Sequence, residues 1–371
     1  MAARPRLLLA DAPTESRLVV VILRGAMDGL SAVPPVGDPA YRGLRGDLAI
    51  DDALPLDGFF GLHPALAPLA GWYAEGALLP VHAVATPYRE RSHFDAQDLL
   101  ENGTGMPHGA GDGWLNRALA AMGATARPAG LAIAQSAPLI LRGAAPVTTW
   151  SPSVLPGADD DLMARIAAMY ADDPLFRESL ESAMALGDAA GAGSAGGGAR
   201  AQLAESVRTA GMLLAQADGP RIAVLELGGW DTHANQGAGN GRLATALTGL
   251  AEALSGLRTS ASAVWARTCI AAVTEFGRTA VPNGTRGTDH GTGAAMLLAG
   301  GAVAGGRVLA DWPGLGTAQL YEGRDLMPTT DLRAVLKGVL RDHLGLADAV
   351  LADGVFPQSG AVAPLDGLIR G

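Results

Sequence analysis

One pattern constrains this chain more than any other: short apolar runs, each cut off by glycine and then by an acidic or imidazole side chain. Its clearest instance is RIAVLELGGWDTHANQ, residues 221–236. Ile222 to Leu227 follows a Gly219-Pro220 break and is interrupted only by Glu226. Bounded this closely, it reads as a buried strand and not a helix. Gly228-Gly229 ends the run, Asp231, Thr232 and His233 follow, and a helical pattern covers Gly241 to Leu257. A strand, a glycine turn bearing polar groups and then a helix is how an α/β protein presents side chains at the carboxyl edge of its sheet, where ligands bind. One carboxylate and one neutral imidazole suit zinc or manganese. An Asx-turn with a surface histidine satisfies the same residues.

The pattern recurs along the chain. Arg17 to Arg24 (RLVVVILR) is a β-branched first strand of the kind covered on both faces, and Asp28-Gly29 lies just beyond it. Residues 31–62 are proline-rich and read as an irregular excursion. Pro64 opens a helix to about Glu75, and Leu78 to Ala85 is a strand in which Pro80 suggests an edge or a bulge. In YRERSHFDAQDLLENG, Ser92 has the place of an N-cap, with Asp95 three residues on and Asn102-Gly103 as the stop. Ser92 at a helix N-terminus beside Arg91 and His93 also suits an oxyanion. Trp114 to Met122 is a short helix, and LILRG and PVTTW are β-like. Residues 159–188 are helical with a break at Asp172-Asp173-Pro174. The stretch 187–198 has the composition of a flexible linker, and Ala199 to Ala217 is a long helix. The region at about 145–217 is expected to form a helical insertion or cover on a single α/β domain spanning 1–371. Thr268 to Thr274 is another buried strand, ending in Glu275 and Arg278, and PNGTRGTDHGTG then brings Asp289 and His290 together. Met296 to Ala299 and Gly306 to Ala310 read as short β runs. Asp331 to Leu344 reads as a terminal helix with a structural His343 in its last turn.

Charge and hydropathy exclude several function classes. A formal charge of −10 and a pI near 5.1 argue against a nucleic-acid binder. No run approaches the roughly 20 apolar residues of a membrane span. The single cysteine, Cys269, lies in an apolar run and reads as a buried small hydrophobe. Leu7 to Ala10 is too short for a secretory h-region, which needs about 7–15 apolar residues. Residue 1 is therefore either a native cytoplasmic start or the beginning of a chain whose export signal has been removed.

Four strand ends thus carry acid or histidine: Asp28, Asp231 with His233, Glu275 with Arg278, and Asp289 with His290. Several carboxylates and imidazoles converging on one sheet edge repel, or are costly to bury, without a cation. One or two divalent metals would resolve that cost. The predicted architecture is a doubly wound, mostly parallel sheet flanked by helices, with Asp28, Asp231 and Glu275 at the same edge.

The segments LVVVILRGAMDGL, RSHFDAQDLLENG, GGWDTHANQ, TEFGRT and GTDHGTG resemble, in this order, the bacterial family called domain of unknown function 1501. That family is grouped with the alkaline phosphatase and sulfatase superfamily, and its members often carry twin-arginine export signals. The resemblance implies an alkaline phosphatase-like fold, periplasmic or secreted placement, and a metal-dependent hydrolase of phosphate or sulfate esters. The substrate would be a small-molecule or glycan ester, and the cation zinc, manganese, calcium or magnesium. Carried across, Asp28, Asp231, His233, Asp289 and His290 match metal positions, and Glu275 fills a metal or adjacent place. Ser92, or a metal-bound hydroxide, would attack, with His93 beside it. Arg278 or Arg91 would bind the remaining ester oxygens. The spacing departs from the superfamily: the middle pair is Asp-x-His, and the surroundings of Ser92 match neither nucleophile signature. A non-catalytic exported protein that keeps the fold is one alternative. A metal-dependent enzyme of another class using the same Asp/His set is the other.

Overall fold

Along β1 (Arg17–Leu23), side chains alternate between two separate cores in the computed structural model. Leu18, Val20 and Ile22 enter one, and Val19, Val21 and Leu23 the other. A strand covered on both faces has no solvent side on which to place polar residues, which is why its sequence is continuously apolar. The structure describes residues 15–123, 129–152, 160–174, 176–177, 180–181, 184 and 198–371. The linker expected at 187–198 and the apolar patch at 7–10 lie outside them, except for Gly198.

The remaining sheet strands are β2 (Leu78–Ala85), β3 (Gly130–Ile133), β4 (Val147–Trp150), β5 (Ile222–Leu227), β6 (Thr268–Val273), β7 (Ala294–Ala299) and β8 (Thr330–Asp331). Among the described residues they form one eight-stranded sheet in the order β8-β2-β7-β6-β1-β5-β3-β4. The chain is therefore an α/β protein with a mostly parallel, mixed sheet flanked by helices. β7 alone runs antiparallel to its neighbours, β6 and β2. β1, β5 and β6 are mutually parallel, so the segments that follow them leave at one carboxyl edge. Because β7 is reversed, the connection from β6 to β7 starts and finishes at that same edge. Glu275 and His290 are thereby brought together.

The main helices are α1 (Ala67–Ala74), α2 (His93–Asn102), α3 (Trp114–Ala121), α4 (Asp160–Tyr170), α5 (Ala199–Ala215), α6 (Arg242–Ser260) and α7 (Leu332–Leu344). α5 and α6 pack on one face of the sheet through Leu213, Leu214, Leu243, Leu247, Leu250 and Leu254. α3 and α7 pack on the other through Trp114, Leu115, Val335 and Val339.

Several expectations change in detail. Pro80 lies within β2, and the irregularity falls further on, as a register shift between His82 and Val84 with Ala83 at φ +52°. Leu139–Leu141 of LILRG is a short 3₁₀ turn, and of Gly306 to Ala310 only Leu309 pairs, in one bridge to Val81. The region at about 145–217 begins with a sheet strand, β4, and ends with a face helix, α5. Both are part of the sheet sandwich. His343 is buried and donates from Nε2 to the Arg17 carbonyl at 2.9 Å, a tie between α7 and β1.

Candidate metal centre

Three loops build the site. After β5, Trp230 is fully buried and donates from Nε1 to the Leu227 carbonyl at 2.9 Å. This pins the turn and leaves Asp231 and His233 facing outward, each with a side chain nearly half exposed. The connection from β6 to β7 is bound to that turn by backbone bonds, Thr288 N–H to the Thr232 carbonyl and Asn235 N–H to the Thr285 carbonyl. Gly287 makes the close approach possible, since a Cβ there would lie 2.3 Å from the His233 carbonyl oxygen. The third contribution is His93, the first residue of α2.

Each of three imidazoles has its Nδ1 tied to an acceptor. His93 Nδ1 meets Glu275 Oε1 at 2.8 Å, His290 Nδ1 meets the Arg91 carbonyl at 2.8 Å, and His233 Nδ1 meets Asp289 Oδ1 at 3.2 Å. A carbonyl or an ionised carboxylate only accepts, so Nδ1 carries a proton, and each ring, when neutral, turns a lone pair outward at Nε2. Those lone pairs converge. Asp231 Oδ1 lies 3.0 Å from His233 Nε2, 3.5 Å from His290 Nε2 and 3.6 Å from His93 Nε2. His233 Nε2 and His290 Nε2 are 2.9 Å apart. The Nε2 of His93 is buried without a hydrogen-bond partner. Four acceptors facing one another repel unless a proton or a cation lies among them. A tetrahedron with bonds of about 2.0–2.1 Å has ligand separations near 3.3 Å, so these distances suit a transition-metal ion. Ligand atoms of His93, Asp231 and His290 all lie within 4.8 Å of one another. His233 lies outside that group of three, with its Nε2 beside Asp231 Oδ1 and His290 Nε2.

The surrounding charges support this arrangement. Burial pushes Glu275 up, but hydrogen bonds from His93, Gln97 and the Gly25 N–H bring it below the ordinary carboxylate range. The Glu275 hydrogen bond in turn raises His93, although burial opposes it. Burial lowers His290. Burial raises Asp231, and Arg278 with the neighbouring imidazoles more than reverses this. The amide of Asn283 holds Asp289 low, also against burial.

The other expected site residues are placed differently. Asp28 follows β1 at the same edge but is sealed at 1% exposure and ion-paired with the fully buried Arg45. Gln236 Nε2 donates to it at 2.6 Å and Ser31 Oγ at 3.0 Å. With its lone pairs filled by donors, Asp28 stands outside the imidazole cluster. Glu275 and Asp289 each meet an imidazole at Nδ1, those of His93 and His233. His93, expected beside a nucleophile, turns its Nε2 toward Asp231 Oδ1 at 3.6 Å. Arg278 is buried, with NH1 on Asp231 Oδ1 at 2.7 Å and Nε on Thr288 Oγ1 at 3.1 Å. It orients Asp231. Ser92 precedes α2 but makes no side-chain cap, and Asp95 accepts from Tyr88 Oη in place of completing a capping box. Sequence reasoning missed Arg45, Gln97, Gln236 and Asn283. Gln97, Gln236 and Asn283 lie within the quoted motifs, whereas nothing in the proline-rich excursion marks Arg45.

The family model for proteins of unknown function DUF1501 matches residues 63–355, well over half of the chain. The chain belongs to this family. The DUF1501 match takes in all three imidazoles, Asp231, Glu275 and Asp289, and begins after β1, so Asp28, Ser31 and Arg45 lie ahead of it while Gln236 falls within it. No curated protein matches this DUF1501 chain.

Proposed function

We propose that this DUF1501 protein is an alkaline phosphatase-like, divalent-metal-dependent hydrolase of phosphate or sulfate esters. The observation that carries the reading is the convergence of three Nε2 lone pairs on a half-exposed Asp231, with every Nδ1 held from behind. His93, Asp231 and His290, joined by His233, would hold the ion. An imidazole-rich set favours zinc or manganese over calcium or magnesium, which prefer all-oxygen cages. A cation held there supplies Lewis-acid polarisation of an ester oxygen. The chain's own residues do the rest. Glu275, Asp289 and the Arg91 carbonyl fix the rings, Arg278 fixes Asp231, and the open side of Asp231 and His233 admits a small-molecule or glycan ester. Ser92, which makes no helix-capping bond and is adjacent in sequence to His93, would attack.

Protein purified without chelator should carry about one equivalent of zinc or manganese by elemental analysis. It should cleave at least one of a set of aryl phosphates, phosphodiesters and aryl sulfates. Turnover should vanish on chelation and return with metal, and Ser92→Ala should abolish it if Ser92 attacks. Metal without turnover on any ester would remove the hydrolase reading. Absence of metal, with no uptake of added Zn²⁺ or Co²⁺, would remove the centre itself.

A further inference from the structure

Two of the three ring anchors are carboxylates. The third is a main-chain carbonyl, that of Arg91, which accepts from His290 Nδ1 at 2.8 Å. Arg91 has φ +60°, a left-handed conformation that a side-chain-bearing residue adopts only when its surroundings impose it. The surroundings here are specific. Arg91 Nε donates to Asp325 Oδ2 at 2.9 Å, its NH2 pairs with Glu322, and its guanidinium lies over the Tyr321 ring. Asp325 has a fully buried side chain and is held in place by Thr292 Oγ1 at 2.8 Å and Arg324 NH1 at 3.0 Å. Thr292 lies two residues beyond His290, and the Asp325 backbone bridges Thr279 at the start of the same loop. Arg91 also lies two residues before His93, so the orientation of its peptide bears on two of the imidazoles.

We infer that Asp325 and Arg91 form a clamp that holds the Arg91 peptide in its left-handed conformation, so that its carbonyl fixes His290 as the Nδ1–H tautomer with Nε2 open toward Asp231. Both are positioning residues, remote from the ion, and the inference rests on the metal reading only for its affinity readout. The clamp acts through backbone conformation, and this gives it a signature that a general contribution to folding lacks. Glycine adopts φ +60° without strain. Arg91→Gly therefore keeps the carbonyl in place without the ion pair, whereas Arg91→Ala loses the ion pair and retains the strain.

The test uses the full chain and two measurements: Co²⁺ affinity by titration of its visible absorption, and the His290 tautomer by ¹⁵N NMR of the metal-free protein. Asp325→Asn and Arg91→Ala should each weaken Co²⁺ binding by about 10-fold or more, the scale of lost outer hydrogen bonds, and mix the His290 tautomers. Arg91→Gly should stay within about threefold of wild type, and Arg91→Gly placed in Asp325→Asn should restore both readouts. Equal losses in Arg91→Ala and Arg91→Gly, or unchanged tautomer and affinity in Asp325→Asn, would overturn the clamp. If Asp325→Asn does not fold, the alanine–glycine contrast at Arg91 decides. If wild type binds no Co²⁺, the metal reading fails, and the tautomer measurement still judges the clamp.

Discussion

Asp28 and Asp231 follow neighbouring parallel strands at one edge of one sheet and end in opposite chemical surroundings. Around Asp28 the neighbours are donors: Arg45, Gln236 and Ser31. Around Asp231 they are three imidazole Nε2 atoms that can only accept while neutral, plus one guanidinium. The first carboxylate is neutralised within the fold and needs nothing from outside. The second is left with an excess of lone pairs, which is the condition for holding a cation. The two are joined through Gln236, whose Nε2 donates to Asp28 while its Oε1 accepts from Thr288 Oγ1 at 2.7 Å, and Thr288 Oγ1 accepts from Arg278 Nε. The strand-end acid is common to both places, and the loop that arrives opposite it decides which chemistry results.

Breaking the first side should have the largest effect. Asp28→Ala leaves the Arg45 guanidinium buried and uncompensated, a loss of about 3–5 kcal/mol by urea denaturation. Metal content per folded molecule should nevertheless stay near wild type. Loss of metal from protein that remains folded would instead make Asp28 a ligand and dissolve the distinction. The second side should respond in the opposite sense. His290→Ala should lower Zn²⁺ affinity by more than about 100-fold, beyond the 10–100-fold of outer partners. The chelated variant should unfold within about 1 kcal/mol of chelated wild type, because the half-buried ring packs little core.

Acid separates the two places again. His93 is raised by its Glu275 hydrogen bond, so it gains a proton at a higher pH than an ordinary histidine of about 6.5. That proton occupies the ring needed by the ion, and metal should be released as the pH falls through neutrality. In the metal-free protein the sign reverses: a raised histidine contributes stability that is full below the unfolded value and is lost as pH rises through the folded one. Although burial opposes it, Asp28 is held below the ordinary range by Arg45 and Gln236, so its contribution is present above the unfolded carboxylate value and lost only in stronger acid. The stability gap between wild type and Asp28→Asn should thus be flat between about pH 5 and 8. A gap that closes together with metal release would join what the structure separates.

The sheet was legible because continuous apolar runs between glycine breaks have few other uses, and because parallel strands send their following loops to one edge. The direction of β7 was not legible, since an apolar run carries no sign of whether its neighbours run with it or against it. At the site, Asp231, His233, Asp289 and His290 were visible as residue types in tight turns. The role of His93 was not, because its tautomer is set by Glu275 from 182 residues away. Arg45 was invisible for a related reason: it comes from an irregular excursion with no periodicity, and only folding places it on Asp28. The Ser92–Asp95 spacing misled, since Tyr88 takes the Asp95 carboxylate and the cap is never made.

The smallest change is the most discriminating for the role of Glu275, which the sequence left between metal ligand and outer partner. In Glu275→Gln the shape is kept and the amide oxygen can still accept from His93 Nδ1–H, while the negative charge is lost. If Glu275 is an anchor, two consequences of opposite sign follow. Above neutral pH the His93 Nε2 is a poorer donor to the ion, and Zn²⁺ affinity should fall by about tenfold. In acid, His93 has lost the hydrogen-bonded carboxylate that raised it, so protons compete less well and metal release should move to lower pH. The affinity-against-pH curves of wild type and Glu275→Gln should therefore converge on acidification, read by competition with a chromogenic chelator from about pH 8 to 5.5. Were Glu275 itself a ligand, the substitution would cut affinity as deeply as His93→Ala at every pH, and the curves would run parallel.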